Sequence, residues 1–415
     1  MATPLERLRR QTGFAVGLYG EQARGAYDAY VRRDPFTRLR HRPGREDPYP
    51  VYERIRAAGP VVVTRMGNLA SVDHEVCREV LRSRRYGVQP EGMAAPDDGF
   101  DLSFLDRNPP DHTRLRRLAA PAFSARQVAG YRTTIEKTVD HLLEAAPTEF
   151  DLVTRFAAPL PIAVISELLG IPDADEDAFS RYGQVMGSAL GGVRSLRHVR
   201  SLVAADADLT RIFESLFELR RHDPRDDLIS RLVAAEGDSL TAAEMVPLCT
   251  LLLIAGFETT VNLIGNAVNA LLDHPDQWAL LRDDPGLAAG AVTETLRWDP
   301  PVQRTVRISS DDTEIAGHQV RAGQFVHVLL GGANRDPAVF HDPGRFDIPR
   351  RDAGEHLAFS GGIHHCLGRP LAELEATIAL ERLAVAMPRL RRAGAVRRRN
   401  ATLIRGPLNL PVSRR

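Results

Sequence analysis

Two groups of residues in this chain have types and spacing that could do chemistry: a cysteine in a glycine-punctuated loop and an acid–alcohol pair inside an apolar helix. Cys366 stands in FSGGIHHCLGRPLA. Glycines at 361, 362 and 368 would let the backbone take positive φ and pack closely around the sulfur, and the helix that follows would point its positive end back toward it. Both features favour a thiolate, a soft metal ligand, over a buried inert thiol. Adjacent side chains point apart, so His364, His365 and Cys366 do not form one tetrahedral zinc site. The second group lies in LLLIAGFETTVNLIG, where Glu258, Thr259 and Thr260 interrupt an apolar run. A carboxylate buried there costs several kcal/mol unless it is partnered or wetted, which makes Glu258 a functional site or half of a salt bridge. Ala255 and Gly256 remove bulk one turn before Thr259, whose hydroxyl can compete for a carbonyl of the preceding turn. A groove beside the helix is the expected result.

The elements that must position these groups are mainly helical. Thr241-Ala242-Ala243-Glu244 reads as a capping box and Pro275 as a stop, which gives a helix of roughly 30 residues and about 45 Å, long enough to cross a domain. Further stop signals are Pro247, tolerated in a first turn, and Asp299-Pro300-Pro301. Strand-like runs are short: Val61 to Arg65, Leu69 to Val72, Thr313 to Val328 and Leu403 to Val412. The fold class expected is mostly α with small peripheral β-sheets. No repeat, linker or composition break marks a second domain.

The chain has 415 residues, 43% hydrophobic and 26% charged, enough to bury a core around a cofactor. Its formal net charge of zero provides no overall field for nucleic acid or an anionic membrane. The arginine-rich stretch Arg391 to Arg399 reads as solvated surface. Cys77, Cys249 and Cys366 are far apart and odd in number, which argues against a disulfide framework and fits a reducing cytoplasm. The first thirty residues lack the apolar block of a signal peptide, and no run approaches eighteen apolar residues, so a soluble cytoplasmic monomer is expected.

The spacing of Phe359, Gly362, His364, Cys366, Gly368 and Ala372 resembles the haem-ligand signature of the cytochrome P450 family, the haem-thiolate monooxygenases. The resemblance runs from about residue 47 to 413 and implies one prism-shaped haem domain over 47–415, preceded by an extension at 1–46 that is expected to be a packed helical arm. It implies haem b with Cys366 as axial thiolate, and a haem surround of Phe359, Gly362, Gly368, Ala255 and Gly256. The A-G-x-E-T pattern is similar to the family's oxygen-activation motif, which implies that Thr259 holds dioxygen and its water while Glu258 relays protons. His112 and Arg116, i and i+4 on one helix face, together with Arg307 and His356, match the family's propionate-holding positions. Glu294 and Arg297 in ETLR, with Arg345 in DPGRF as third partner, resemble the buried polar network that locks the haem-bearing core. Ser360 departs from the family's usual glycine and is expected to tighten the loop. His365 is expected to face solvent on the proximal side.

The activity so implied is insertion of one atom of O2 into a C–H bond, or epoxidation, in bacterial secondary metabolism. No GxGxxG follows a strand and no flavin or iron–sulfur segment is fused, so a separate ferredoxin and its NAD(P)H-linked reductase are implied, with Arg369 and Arg117 meeting an acidic donor. The substrate pocket is implied at the segment after Tyr86 through Leu105, at Met186 and Leu190, at Leu252 and Ala255, at Val302 and Gln303, and at Leu403, with Gln303 free to bond a polar substrate group. Such an apolar pocket suits a polyketide, terpenoid, steroid or carrier-tethered acyl chain. The competing readings are a haem-thiolate enzyme that couples, dehydrates or uses peroxide, and a haem-binding sensor or scaffold.

Overall fold

The helix opened by Thr241 runs from Ala242 to Asp273, 32 residues, and several of the other helices are arranged against it. In this computed structural model, residues 4–90, 101–171, 176–188, 195–399 and 401–415 are described, with backbone alone at 4–16 and 176–180. The Glu244 carboxylate accepts from the Thr241 amide at 3.0 Å and hydroxyl at 2.9 Å. Arg114 grips the same carboxylate at 2.6 Å and, as its foremost hydrogen-bond donor, holds it down to about 2. Pro247 is tolerated inside the helix as expected, though in its second turn rather than its first; it removes one amide donor there. His274 ends it, and Pro275 starts the next helix, Pro275–Asp283.

Helices Pro159–Leu169, Glu176–Gly187, Ala288–Trp298 and Arg369–Ala386 pack around this central rod, and together they enclose one large apolar cluster. The rod is long and apolar enough to cross a membrane, but 83% of its most apolar window is buried inside the protein, which accounts for that apolarity. The strands are peripheral. Five of them form a sheet in the order Val62–Val63, Leu69–Ser71, Phe325–Val328, Thr305–Ser309, Tyr86–Gly87, with only the Leu69–Ser71 and Phe325–Val328 pair parallel. Shorter ladders join Thr313–Ile315 to His318–Val320, Arg397–Arg398 to Pro407–Asn409, and Glu149–Asp151 through Pro411–Ser413 to Arg391–Arg392. The N-terminal segment contains the helix Pro4–Tyr30, and beyond it Phe36 and Leu39 join Val51, Tyr52, Ile55 and Leu329 in a small cluster of their own.

Under the rod, Glu294 and Arg297 are both fully buried and meet in a forked pair at 2.7 and 2.8 Å. The remaining Arg297 donors go to the carbonyls of Asn334, Pro343 and Arg345. Arg345 is therefore not the third charged partner. Its backbone wraps the Arg297 guanidinium, which turns its own side chain outward, 61% exposed and 3.9 Å from Asp347. Arg350, 6% exposed, takes that place with Nε 3.1 Å from Glu294. The stretch Arg391 to Arg399 is likewise not plain solvated surface, because Arg392, Arg398 and Arg399 pair with Asp273, Asp299 and Glu258.

Candidate active site

The chain from Phe359 to Arg369 makes a tight loop whose closing hydrogen bond runs from the Cys366 amide to the Phe359 carbonyl, 2.9 Å. Of the three glycines, only Gly362 takes positive φ, at 62°, and a Cβ there would meet the Leu81 carbonyl at 2.4 Å. Gly361 is extended and Gly368 has φ −83°. The residue that shares the left-handed conformation is Ser360, φ 62°. Cys366 keeps accessible surface in this loop. Burial pushes its thiol up. The Gly368 and Arg369 amides at the start of Arg369–Ala386 donate to the sulfur, and Arg116 stands near enough to oppose that rise.

Ala255, Gly256 and Thr259 form the one accessible stripe on a helix otherwise buried from Leu251 to Leu271. The Thr259 hydroxyl donates to the Ala255 carbonyl at 2.7 Å and the helix continues without a break, so there is no local unwinding, and Ile165 packs where a Cβ at Gly256 would fall. Glu258 points to the other flank and is 2% exposed. Arg399 reaches its carboxylate at 2.9 Å, and Asn262 bridges the two, bonding the Glu258 carbonyl and receiving the Arg399 Nε–H. Gly187 lies against this carboxylate, where a Cβ would meet it at 3.2 Å.

Beside the Cys366 loop, cationic and imidazole groups converge, with no carboxylate paired to them among the described residues. His112, 2% exposed, has no partner on either ring nitrogen, and its ring centroid lies 4.4 Å from that of His364, whose Nε2 also lacks one. Burial first, then Arg307, His112 and Arg116, push His364 down to about 3. Arg307, 4% exposed, is pushed down to about 10 by burial alone. Arg116 donates to the His365 carbonyl at 2.6 Å. His356 has its ring 5.7 Å from that of Phe359, its Nε2 is also buried without a partner, and its basicity is depressed by burial and then by Arg369. His364 thus joins Arg307, and sequence reasoning overlooked it although its spacing from Cys366 was in view. Buried imidazoles without partners beside unpaired guanidiniums fit a doubly anionic group such as a pair of haem propionates. Among the described residues no three His, Cys, Asp or Glu side chains gather into a metal site, so a metal here would come with its own ring of donors.

The chain is similar to known proteins. The Cytochrome P450 family model matches residues 287–384. Cytochrome P450 107B1 of Saccharopolyspora erythraea is 40% identical over 93% of this chain and 96% of its own length. A putative cytochrome P450 140 of Mycobacterium tuberculosis is 39% identical over 88% and 89%. The chain belongs to the cytochrome P450 family. Among solved P450 structures, P450BioI in complex with acyl carrier protein ligated to hexadec-9Z-enoic acid superposes with TM-score 0.83 at 36% identity, covering 89% of this chain and 99% of that one. The protein is a P450 monooxygenase with the mostly helical P450 fold, and the family implies haem, a cysteine thiolate and O2.

The expected substrate positions of this P450 divide. Ala255 is accessible, Met186 and Leu252 are packed into the main apolar cluster, and Val302, bridged to Ile404, is half-buried like Leu403. Leu190 and residues 91–100 lie outside the described residues. Gln303 does not fit the role expected of it. It is 4% exposed, accepts from the Tyr52 hydroxyl at 3.0 Å and donates to the Pro300 carbonyl at 2.8 Å, so its amide is used inside the protein. His365 is half-buried among Arg369, Arg116 and Arg82 rather than facing solvent. Arg117 is exposed, while Arg369 pairs with Glu373 at 3.0 Å.

Proposed function

We propose that this P450 binds haem b through the Cys366 thiolate and hydroxylates or epoxidises a hydrophobic small molecule, free or tethered to a carrier protein, in the cytoplasm. Electrons come from a ferredoxin and its NAD(P)H-linked reductase. The observation that carries the reading is the convergence of buried or half-buried His112, Arg116, Arg307 and His364 beside the Cys366 loop, with no carboxylate paired to them among the described residues. The similarity to a P450 crystallised on an acyl carrier protein supports a carrier-tethered chain as one substrate class.

Haem and dioxygen supply the oxygen-insertion chemistry. The protein's part is to bind, to orient and to move protons. Two amides and Arg116 direct positive potential at the Cys366 sulfur and favour its anionic form once a cation is bound. His112, Arg116, Arg307 and His364 would hold the propionates, whose charge would offset the cost of desolvating these four groups. Thr259 keeps its proton at Oγ1 on the accessible stripe, bonded backward to Ala255, and turning about χ1 re-aims it. Glu258 stands behind as a carboxylate paired with Arg399; on leaving that pair it can take a proton from water and pass it on toward Thr259.

The test is turnover by the purified, haem-loaded protein with ferredoxin, reductase and labelled dioxygen, on substrates chosen by induced spin-state change. One labelled oxygen in the product and strict dependence on the electron donor are expected. Turnover with peroxide alone and no dependence on ferredoxin would contradict this reading.

A further inference from the structure

Ser360 adopts φ 62°, a left-handed conformation that a non-glycine residue holds at a cost on the order of 1–2 kcal/mol. Glycine would serve the turn alone without that cost. What serine adds is a hydroxyl, and its Oγ accepts from Arg307 NH2 at 3.1 Å. The other Arg307 bonds go to the Thr305 hydroxyl, 3.1 Å, and the Val306 carbonyl, 2.9 Å. All three acceptors are neutral, so the guanidinium is fixed in direction while its charge stays unmatched. Ser360 stands six residues before Cys366, in a loop whose Phe359 carbonyl receives the Cys366 amide, while Arg307 belongs to the strand Thr305–Ser309. One side-chain bond therefore ties the sheet to the thiolate loop.

We propose that Ser360 is a positioning residue whose hydroxyl holds Arg307 in the orientation that grips the anionic edge of the haem. The proposal rests on the haem reading above and adds a role for the hydroxyl that is separate from the loop's backbone shape. Preorganising a buried cation with a neutral acceptor spares the ordering cost when the anion arrives, without neutralising the charge the anion needs.

Ser360→Gly and Ser360→Ala separate the two roles. Both remove the hydroxyl, and glycine also relieves the left-handed strain. Haem loss from each holoprotein to excess apomyoglobin should be faster than wild type by roughly tenfold, the effect of one hydrogen bond to a charged group. Thermal melts of the haem-free forms should rank glycine at or above alanine. In an Arg307→Gln background, where haem loss is already fast, adding Ser360→Gly should produce little further change. Wild-type haem retention by Ser360→Gly, or an undiminished effect in the Arg307→Gln background, would overturn the proposal; should the alanine variant not fold, the glycine variant carries the test. Failure of the wild-type protein to take up haem would instead sink the haem reading itself.

Discussion

Replacing Arg350 and Arg345 separately by methionine discriminates between the polar lock seen in the structure and the one its sequence motif suggests. Arg350 is 6% exposed, approaches Glu294 at 3.1 Å and Asp352 at 3.1 Å, and donates to the His341 carbonyl at 3.0 Å. Breaking a buried pair by removing one partner typically costs about 3–5 kcal/mol. Glu294 would keep its forked bond to Arg297, so the lower end, about 3 kcal/mol, is the fitting magnitude. With 415 residues the unfolding entropy is about 0.9 kcal/mol per degree, and the melting temperature should fall by about 3 °C. Arg345, 61% exposed and 3.9 Å from Asp347, should cost less than about 0.5 kcal/mol, within half a degree. Calorimetry of both variants beside the wild type is the assay. Equal shifts, or a larger one for Arg345, would refute the assignment.

Thr259→Ala should leave substrate-induced spectral change intact while reducing equivalents are diverted to hydrogen peroxide, read as the ratio of peroxide to product; fully coupled turnover would remove Thr259 from the mechanism. Glu375, 3% exposed on the Arg369–Ala386 helix, has no cation beside it, and burial pushes its carboxyl up to about 8. The folded state then holds a proton that the unfolded chain releases above 4.5, so stability is lost as pH rises from that value toward 8, by about 3 kcal/mol at pH 7. Glu375→Gln should raise the melting temperature by about 3 °C at pH 7 and by less than a degree at pH 5; the same shift at both would show that the carboxyl does not titrate there.

Much of the site was legible because its signals are local. The Cys366 loop, the Ala255–Thr259 stripe and the ETLR pair are each set by neighbours within a turn or two of chain, and the capping box at Thr241 placed the central helix to within a residue at its start. What escaped depends on chain segments far apart in sequence. Arg399 is an ordinary basic residue until residues 141 positions earlier bring Glu258 to it, and Arg350 replaces Arg345 only because the chain after Pro343 folds around Arg297. Gln303 has the composition of a substrate contact, but Tyr52 and Pro300 use both ends of its amide.

The central claim is that one sulfur, Cys366, anchors an iron porphyrin, and the most direct measurement is the absorption spectrum of the reduced protein under carbon monoxide. Wild type should give the red-shifted Soret band that a thiolate trans to the carbonyl produces, and Cys366→His, if it keeps haem, should lose that shift. The same red-shifted band in the histidine variant would contradict the account.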